Sequence, residues 1–121
     1  MHKILIAEDD PMVTKLYKAK LQLEGFEIIE AVDGQDALQK LSQKPELILL
    51  DLMMPVMDGF EFLENIKKDP KHKNIPVIVL SILGQDVDIA KARKSGAVDY
   101  LVKSEMTPKQ VVEKIRQHLP K

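Results

Sequence analysis

Four short apolar runs of this chain each end at a polar or charged group, and this pattern constrains the fold more than any other feature. The runs are 4–7, 47–50, 77–80 and 100–102, and the groups that follow them are Glu8-Asp9-Asp10, Asp51, Ser81 and Lys103. Continuous apolar runs of this length are typical of strands buried on both faces of a parallel sheet. The carboxyl ends of parallel strands share one edge, where ligands bind. We therefore expect the four groups to meet at one site.

Longer amphipathic stretches separate these runs, and capping residues mark where several of them begin. Asp10-Pro11, Asp58 and Thr107-Pro108 are such helix starts. We predict strands over 3–7, 26–31, 46–51, 76–81 and 99–102, and helices over 11–24, 33–43, 58–69, 85–95 and 107–119. Strands that alternate with helices predict an α/β fold whose parallel sheet is covered on both faces. Glutamates on either side of Ile28-Ile29 predict an edge position for the second strand.

The composition excludes several classes of protein. A length of 121 residues, 45% of them hydrophobic, predicts one domain over 1–121. The net charge of -1 argues against direct nucleic-acid binding and against attachment to an anionic membrane. No cysteine is present, which excludes thiolate metal sites. The first apolar run is too short for a signal peptide or a membrane span, so we expect a cytoplasmic protein.

Asp51, Glu8 and Asp9 form a candidate metal site. Asp51 alone would be read as an aspartate that ends a strand or caps a helix. The neighbouring acids favour a metal site over this simpler interpretation, because crowded like charges are unfavourable unless a cation neutralises them. Oxygen ligands without His or Cys favour a hard ion such as Mg²⁺. We expect Asp9 to bind the ion directly and Glu8 to act through water, while Asp10 caps the following helix.

Lys103, Ser81 and Tyr100 are weaker candidates when each is taken alone. Lys103 is one of 18 basic residues, although its position after a buried strand would let its ammonium pair with Asp51 and with a phosphate oxygen. Ser81 either caps the next turn or donates to a phosphoryl oxygen. Tyr100 suits an edge strand by propensity alone.

Four segments together give the chain a resemblance to the receiver domains of bacterial two-component response regulators, of which CheY is a member. The segments are ILIAEDD at 4–10, LDLMMPVMDG at 50–59, PVIVLS at 76–81 and GAVDYLVK at 96–103. The resemblance implies a flavodoxin-like (βα)5 fold, a three-layer sandwich with strand order 2-1-3-4-5. It also implies that Asp51 is the phosphoacceptor, that Asp9, Glu8 and the Met53 carbonyl hold Mg²⁺, and that Ser81, Lys103 and Tyr100 form the switch.

The resemblance implies a phosphorylation-dependent switch rather than an enzyme that turns over a free substrate. Its phosphodonor would be a sensor histidine kinase, a phosphotransfer protein or a small acyl phosphate. Phosphorylation and dephosphorylation would be self-catalysed. The output would be a downstream protein that binds the face formed by the fourth helix, the fifth strand and the fifth helix.

Three departures from the family pattern deserve note. Ser104 replaces the usual proline, which leaves the isomer of the Lys103–Ser104 peptide bond open. Ile82 stands where a small residue is usual, and Met53 and Leu83 are both apolar at positions that tune phosphoryl lifetime. We therefore expect a long-lived phosphorylated form.

Three alternative functions remain open at this stage. An unphosphorylated pseudo-receiver, acting only as an interaction module, is the first. A flavodoxin-like FMN or nucleotide enzyme is the second, although it would need a phosphate loop where Glu8-Asp9-Asp10 stands. A haloacid-dehalogenase-type phosphatase is the least favoured, because Met53 occupies the position of its second acid.

Overall fold

Five parallel strands form one sheet at the centre of the molecule. The computed structural model describes residues 1–119. The strands are β1 (Lys3–Ala7), β2 (Glu27–Ala31), β3 (Leu47–Leu50), β4 (Val77–Ser81) and β5 (Asp99–Val102). Their spatial order is β2-β1-β3-β4-β5, which confirms the predicted flavodoxin-like topology and the edge position of β2.

Five α-helices connect the strands. They are α1 (Pro11–Leu23), α2 (Gly34–Lys40), α3 (Gly59–Lys67), α4 (Asp86–Lys94) and α5 (Pro108–His118), and short 3₁₀ helices cover Leu41–Gln43 and Lys103–Glu105. The largest boundary error of the sequence prediction is in the second helix, which we expected to continue to residue 43. Its last turn tightens to 3₁₀ geometry before Lys44, which is left-handed at φ 61° and precedes Pro45.

The helices cover both faces of the sheet and create two cores. One core combines α2, α3 and α4 with one set of strand residues, and the other combines α1 and α5 with the opposite set. Along β1, Leu5 and Ala7 belong to the first core, whereas Ile4 and Ile6 belong to the second. This alternation follows from the period of two in a strand, and it explains why the central strands are apolar throughout.

Capping side chains fix the starts of the helices next to the carboxyl edge of the sheet. Asp10 accepts a hydrogen bond of 2.9 Å from the Met12 amide, as expected. At the start of α3, Asp58 accepts one of 2.9 Å from the Glu61 amide. These caps hold α1 and α3 in place directly after the loops that carry the acidic residues.

Two further findings concern the backbone. Every peptide bond within residues 1–119 is trans, the Lys103–Ser104 bond included. Over that same range, the helices are too short or too polar to cross a lipid bilayer.

Candidate functional site

The carboxyl ends of β1, β3 and β5 and the loop after β4 border one cleft of about 330 Å³. The cleft is lined by most of the polar residues that the sequence singled out, namely Glu8, Asp9, Asp10, Asp51 and Lys103. Three apolar residues, Val13, Met53 and Ile82, complete the lining. The register of the sheet explains this convergence. Ala7 at the end of β1 pairs with Leu50 at the end of β3, so Glu8 and Asp51, which follow them, share one level. Leu50 pairs with Val79, so β4 and its partner β5 extend two residues further, to Ser81 and Val102, at the same edge of the sheet.

Three carboxylates form the acidic centre of this cleft. One oxygen from each of Glu8, Asp9 and Asp51 lies within 4.8 Å of the other two. Glu8 and Asp51 are buried, at 5% and 6% exposure, whereas Asp9 is exposed. Such a cluster of oxygen donors, without nitrogen or sulfur, fits a small hard cation. The sequence prediction of three neighbouring acids is therefore matched by the geometry.

The acidic centre perturbs its own protonation. Burial raises the pKa of Glu8 above its ordinary value of 4.5, the hydrogen bond from Lys103 opposes this rise, and the charge of Asp51 adds to it. The pKa of Asp9 is also raised, by desolvation first and then by its neighbour Glu8. Burial first, and the neighbouring charges second, thus disfavour the ionised forms of both carboxylates.

Lys103 is paired with Glu8 rather than with Asp51. Its Nζ lies 2.6 Å from Oε1 of Glu8, and the side chain is 18% exposed. The other oxygen, Oε2, accepts a hydrogen bond of 3.2 Å from the Asp10 amide. The sequence suggested a pairing with Asp51, so the structure places the ammonium in the right cleft but on a different carboxylate.

Ser81 and Tyr100 meet at Leu83 in the loop after β4. The Ser81 hydroxyl is fully buried and accepts a hydrogen bond of 3.2 Å from the Leu83 amide. The Tyr100 hydroxyl donates one of 2.6 Å to the Leu83 carbonyl, and the ring is 8% exposed. Burial raises the pKa of the Tyr100 hydroxyl, which keeps it in the donating form. One loop residue therefore links the serine of β4 to the tyrosine of β5.

The loop between β3 and α3 holds Asp51 from the other side. The Met53 amide donates to Oδ1 of Asp51 at 3.3 Å, and Met53 is half exposed at the cleft. Sequence reasoning missed Gly59. A Cβ there would lie 2.5 Å from the Asp51 carbonyl oxygen, so only glycine allows α3 to approach this closely. The available signal was Asp58-Gly59, which we read as a helix start and as the end of the segment 50–59 that resembles receiver domains, without a role for the glycine.

Two apolar residues of the loop after β4 differ in their placement. Ile82 is 65% exposed and lines the cleft beside Asp51. Leu83 lies instead in a neighbouring open groove of about 560 Å³, which it shares with Met53. Of the residues expected to influence phosphoryl lifetime, Met53 and Ile82 line the same cleft as Asp51, whereas Leu83 does not.

The sequence model of the response regulator receiver domain matches residues 4–116. A CpxR homolog of Haemophilus influenzae, a transcriptional regulatory protein, is 42% identical over 103 residues, which are 85% of this chain and 44% of that protein. This chain spans between 43% and 50% of the curated relatives that it matches.

Two solved structures share the architecture. The beryllofluoride-activated receiver domain of Klebsiella pneumoniae RstA has a TM-score of 0.91 and 29% identity, with coverage of 99% of this chain and 100% of that one. The manganese-bound response regulator Rcp1 has a TM-score of 0.85 and 31% identity, and both chains are covered in full at 100%. The fold of this chain is thus the fold of these two response regulator structures.

Proposed function

Because this chain belongs to the response regulator receiver domain family, we propose that it is a phosphorylation-dependent switch whose phosphoacceptor is Asp51. The observation that carries the proposal is the placement of Asp51 in one cleft with two further carboxylates and the ammonium of Lys103. A nucleophile, a cation site and a fixed positive charge are what phosphoryl transfer needs, since its catalysis is mostly positioning and neutralisation of charge.

The proposed reaction is a displacement at phosphorus. A carboxylate oxygen of Asp51 attacks the phosphorus of a phosphohistidine, carried by a sensor histidine kinase or phosphotransfer protein, or that of a small acyl phosphate. The new P–O bond forms as the donor's P–N or P–O bond breaks, and the leaving group keeps the electron pair. Attack of water on the phosphorus of the aspartyl phosphate later returns the carboxylate and releases inorganic phosphate. No other substrate is consumed.

Mg²⁺ is the proposed cofactor. Asp9, Asp51 and the carbonyl of Met53 would hold the ion, with Glu8 acting through water. When bound, Mg²⁺ neutralises charge on the phosphoryl oxygens and orients them. The close carboxylates of this chain and the manganese-bound relative Rcp1 support the assignment.

The switch is proposed to work through the contacts already present around Leu83. Lys103 leaves Glu8 for a phosphoryl oxygen, and the Ser81 hydroxyl exchanges the Leu83 amide for the same group. The loop then moves, and Tyr100 moves with it because its hydroxyl is bound to the Leu83 carbonyl. This rearrangement changes the face formed by α4, β5 and α5, which a downstream protein would bind. We place the protein in the cytoplasm, where an ATP-dependent kinase would meet it.

A pseudo-receiver that is never phosphorylated is the second candidate. Ile82, 65% exposed at the cleft, is the observation in its favour, because its bulk stands beside the phosphoacceptor. The complete set of Asp9, Asp51, Ser81 and Lys103 favours the phosphorylated switch.

Intact-mass analysis after incubation with acetyl phosphate and Mg²⁺ tests the proposal. The wild type should gain the mass of one phosphoryl group, EDTA should abolish the gain, and Asp51→Asn should not be labelled. Labelling of Asp51→Asn to the extent of the wild type would remove Asp51 from its role. A wild type that binds Mg²⁺ but is not labelled would support the pseudo-receiver.

A further inference from the structure

Tyr17 of α1 brings a hydroxyl group into the apolar layer beneath the acidic cleft. The residue is 6% exposed, and its ring packs in the core between α1, α5 and the sheet. Long side chains on a helix point back towards its amino terminus, and α1 begins at Pro11, directly after the acidic cluster. The tip of Tyr17 is therefore directed towards the candidate site.

A small cavity connects this tyrosine to the carboxylates. It has a volume of about 10 Å³ and is lined by Tyr17, Glu8 and Asp51, with apolar residues of β1, β3, β4 and α1 around them. That volume is close to the minimum for one water molecule. The phenol and the two buried carboxylates thus face one shared space.

The Tyr17 hydroxyl has no hydrogen-bond partner within residues 1–119, in contrast to the hydroxyl of Tyr100. A buried phenol normally has one. In the same part of the chain, no fully enclosed side-chain oxygen or nitrogen lacks a partner, so the Tyr17 hydroxyl keeps some accessible surface, and Tyr17 itself lines the cavity. The group is a donor held in reserve beside the acidic centre.

The charges of the site reach this hydroxyl. Burial raises the pKa of Tyr17, the positive charge of Lys103 lowers it, and the negative charge of Glu8 raises it. Tyr17 is thus within electrostatic range of both members of the ion pair. In the resting structure that pair is closed at 2.6 Å, and the Asp10 amide donates to the other oxygen of Glu8.

We propose that Tyr17 is a positioning residue, which donates its hydroxyl hydrogen to Glu8 when Lys103 leaves for the phosphoryl group. The inference rests on the proposed function. Glu8 is 5% exposed, and a buried carboxylate that loses its cation is strongly unfavourable unless another donor replaces it. The hydroxyl reaches Glu8 across the shared cavity, directly or through one water.

Tyr17→Phe tests the proposal, because it removes the hydroxyl and keeps the ring. We expect about tenfold slower labelling by acetyl phosphate at saturating Mg²⁺, and about tenfold weaker beryllofluoride binding, as for a lost hydrogen bond to a charged group. The melting temperature without metal should not change, because the hydroxyl has no partner in the resting state. Tyr100→Phe is the matched control: its hydroxyl is bound to Leu83, so its metal-free melting temperature should fall.

A second pair of variants tests whether the hydroxyl acts through Glu8. In a Glu8→Gln background, Tyr17→Phe should change beryllofluoride affinity by about twofold or less, because coupled residues are not additive. Tyr17→Phe with the labelling rate and affinity of the wild type would overturn the proposal. So would a loss of metal-free melting temperature as large as that of Tyr100→Phe, which would show a structural role. Absence of labelling in the wild type itself would overturn the proposed function as well.

Discussion

At the scale of single residues, the pairing of Lys103 with Glu8 determines which carboxylate of the site is neutralised. A buried carboxylate needs an opposite charge, and Glu8 has both the ammonium at 2.6 Å and the Asp10 amide at 3.2 Å. Asp51 receives only the weaker contact of the Met53 amide at 3.3 Å. Asp51, the proposed nucleophile, is therefore held more weakly than Glu8, which binds the lysine.

The first prediction concerns Lys103→Ala. Without metal, the free energy of unfolding of this variant should be about 2 kcal/mol lower than that of the wild type. Removing one partner of a fully buried ion pair lowers it more, but Lys103 is partly exposed. Mg²⁺ should restore much of the loss, since the carboxylates that hold it remain. NMR shifts of residues 85–119 on addition of beryllofluoride should be much smaller than in the wild type. Shifts of wild-type size would remove Lys103 from the switch; Lys15→Ala, at an exposed position of α1, is the control.

The second prediction concerns the lifetime of the aspartyl phosphate. Met53→Asn should speed its decay about three- to tenfold, because a side-chain hydrogen bond can orient the attacking water. Ile82→Ala should also speed decay, since Ile82 covers the cleft beside Asp51. Leu83→Glu should have the smallest effect on water access, as Leu83 lies in the neighbouring groove. Decay is measured by the loss of phosphoryl mass over time, with Met53→Leu as the control; unchanged decay in Met53→Asn and Ile82→Ala would refute shielding.

At the scale of elements, the loop from β3 to α3 combines function with backbone strain. Val56 has a φ of 68°, which is rare for a β-branched residue. The Met57 amide donates to the Pro55 carbonyl at 2.7 Å across it, which closes a tight γ-turn. The Val56 side chain is 78% exposed and contributes little to the core. The same loop carries Met53, whose amide donates to Asp51, so the strain lies within the segment that supports this carboxylate.

The third prediction follows from this strain. Val56→Gly should raise the unfolding free energy by about 1 kcal/mol, because relief of a strained φ outweighs the added freedom of the unfolded chain. Urea denaturation without metal measures it. Val32→Gly is the matched control: this valine is 60% exposed with an ordinary φ, and its replacement should cost about 0.5–1 kcal/mol. A loss of stability in both variants would show that the φ of Val56 is not strained.

At the scale of the whole molecule, the pKa values of carboxyl groups shift in opposite directions at the two ends of the sheet. Burial and neighbouring charge raise the pKa values of Glu8 and Asp9 at the carboxyl end. On the opposite side, hydrogen bonds with His2 and His72 lower the pKa values of Glu46 and Asp69. The folded chain therefore binds extra protons at its acidic site and resists protonation at the other two carboxylates.

The fourth prediction is the pH dependence of stability without metal. A carboxyl whose pKa is raised on folding binds more protons in the folded state, so the free energy of unfolding should increase as pH falls from 7 towards 4.5. The lowered pKa of Glu46 affects stability only at lower pH. Its stabilising contribution is lost as pH falls below 4.5 and through the pKa that Glu46 has in the folded state. Added Mg²⁺ should reverse the upper trend, since the ion binds ionised carboxylates. Thermal denaturation in EDTA and in MgCl₂ measures both.

Asp9→Asn and Glu8→Gln separate the two metal roles in the same assay. Asp9→Asn should raise metal-free stability at pH 7 by up to about 1 kcal/mol, as for an exposed charge pair, and weaken the pH trend. It should also lose most of the stabilisation by Mg²⁺, whereas Glu8→Gln should lose less, because a direct ligand matters more than one acting through water. Equal losses of Mg²⁺ stabilisation would show that the direct and water-mediated roles are assigned wrongly.

The sequence by itself determined the order of elements, the parallel sheet and the residues that gather at its carboxyl edge. Apolar runs that end at Glu8, Asp51, Ser81 and Lys103 were sufficient, because period, capping and burial are local properties of a chain. Only the tertiary structure decided that Lys103 pairs with Glu8 and that Gly59 must lack a Cβ beside Asp51. It also decided that Tyr17 lines one small cavity together with Glu8 and Asp51. These features depend on distances of a few ångströms between segments far apart in sequence, which packing sets and no local pattern encodes.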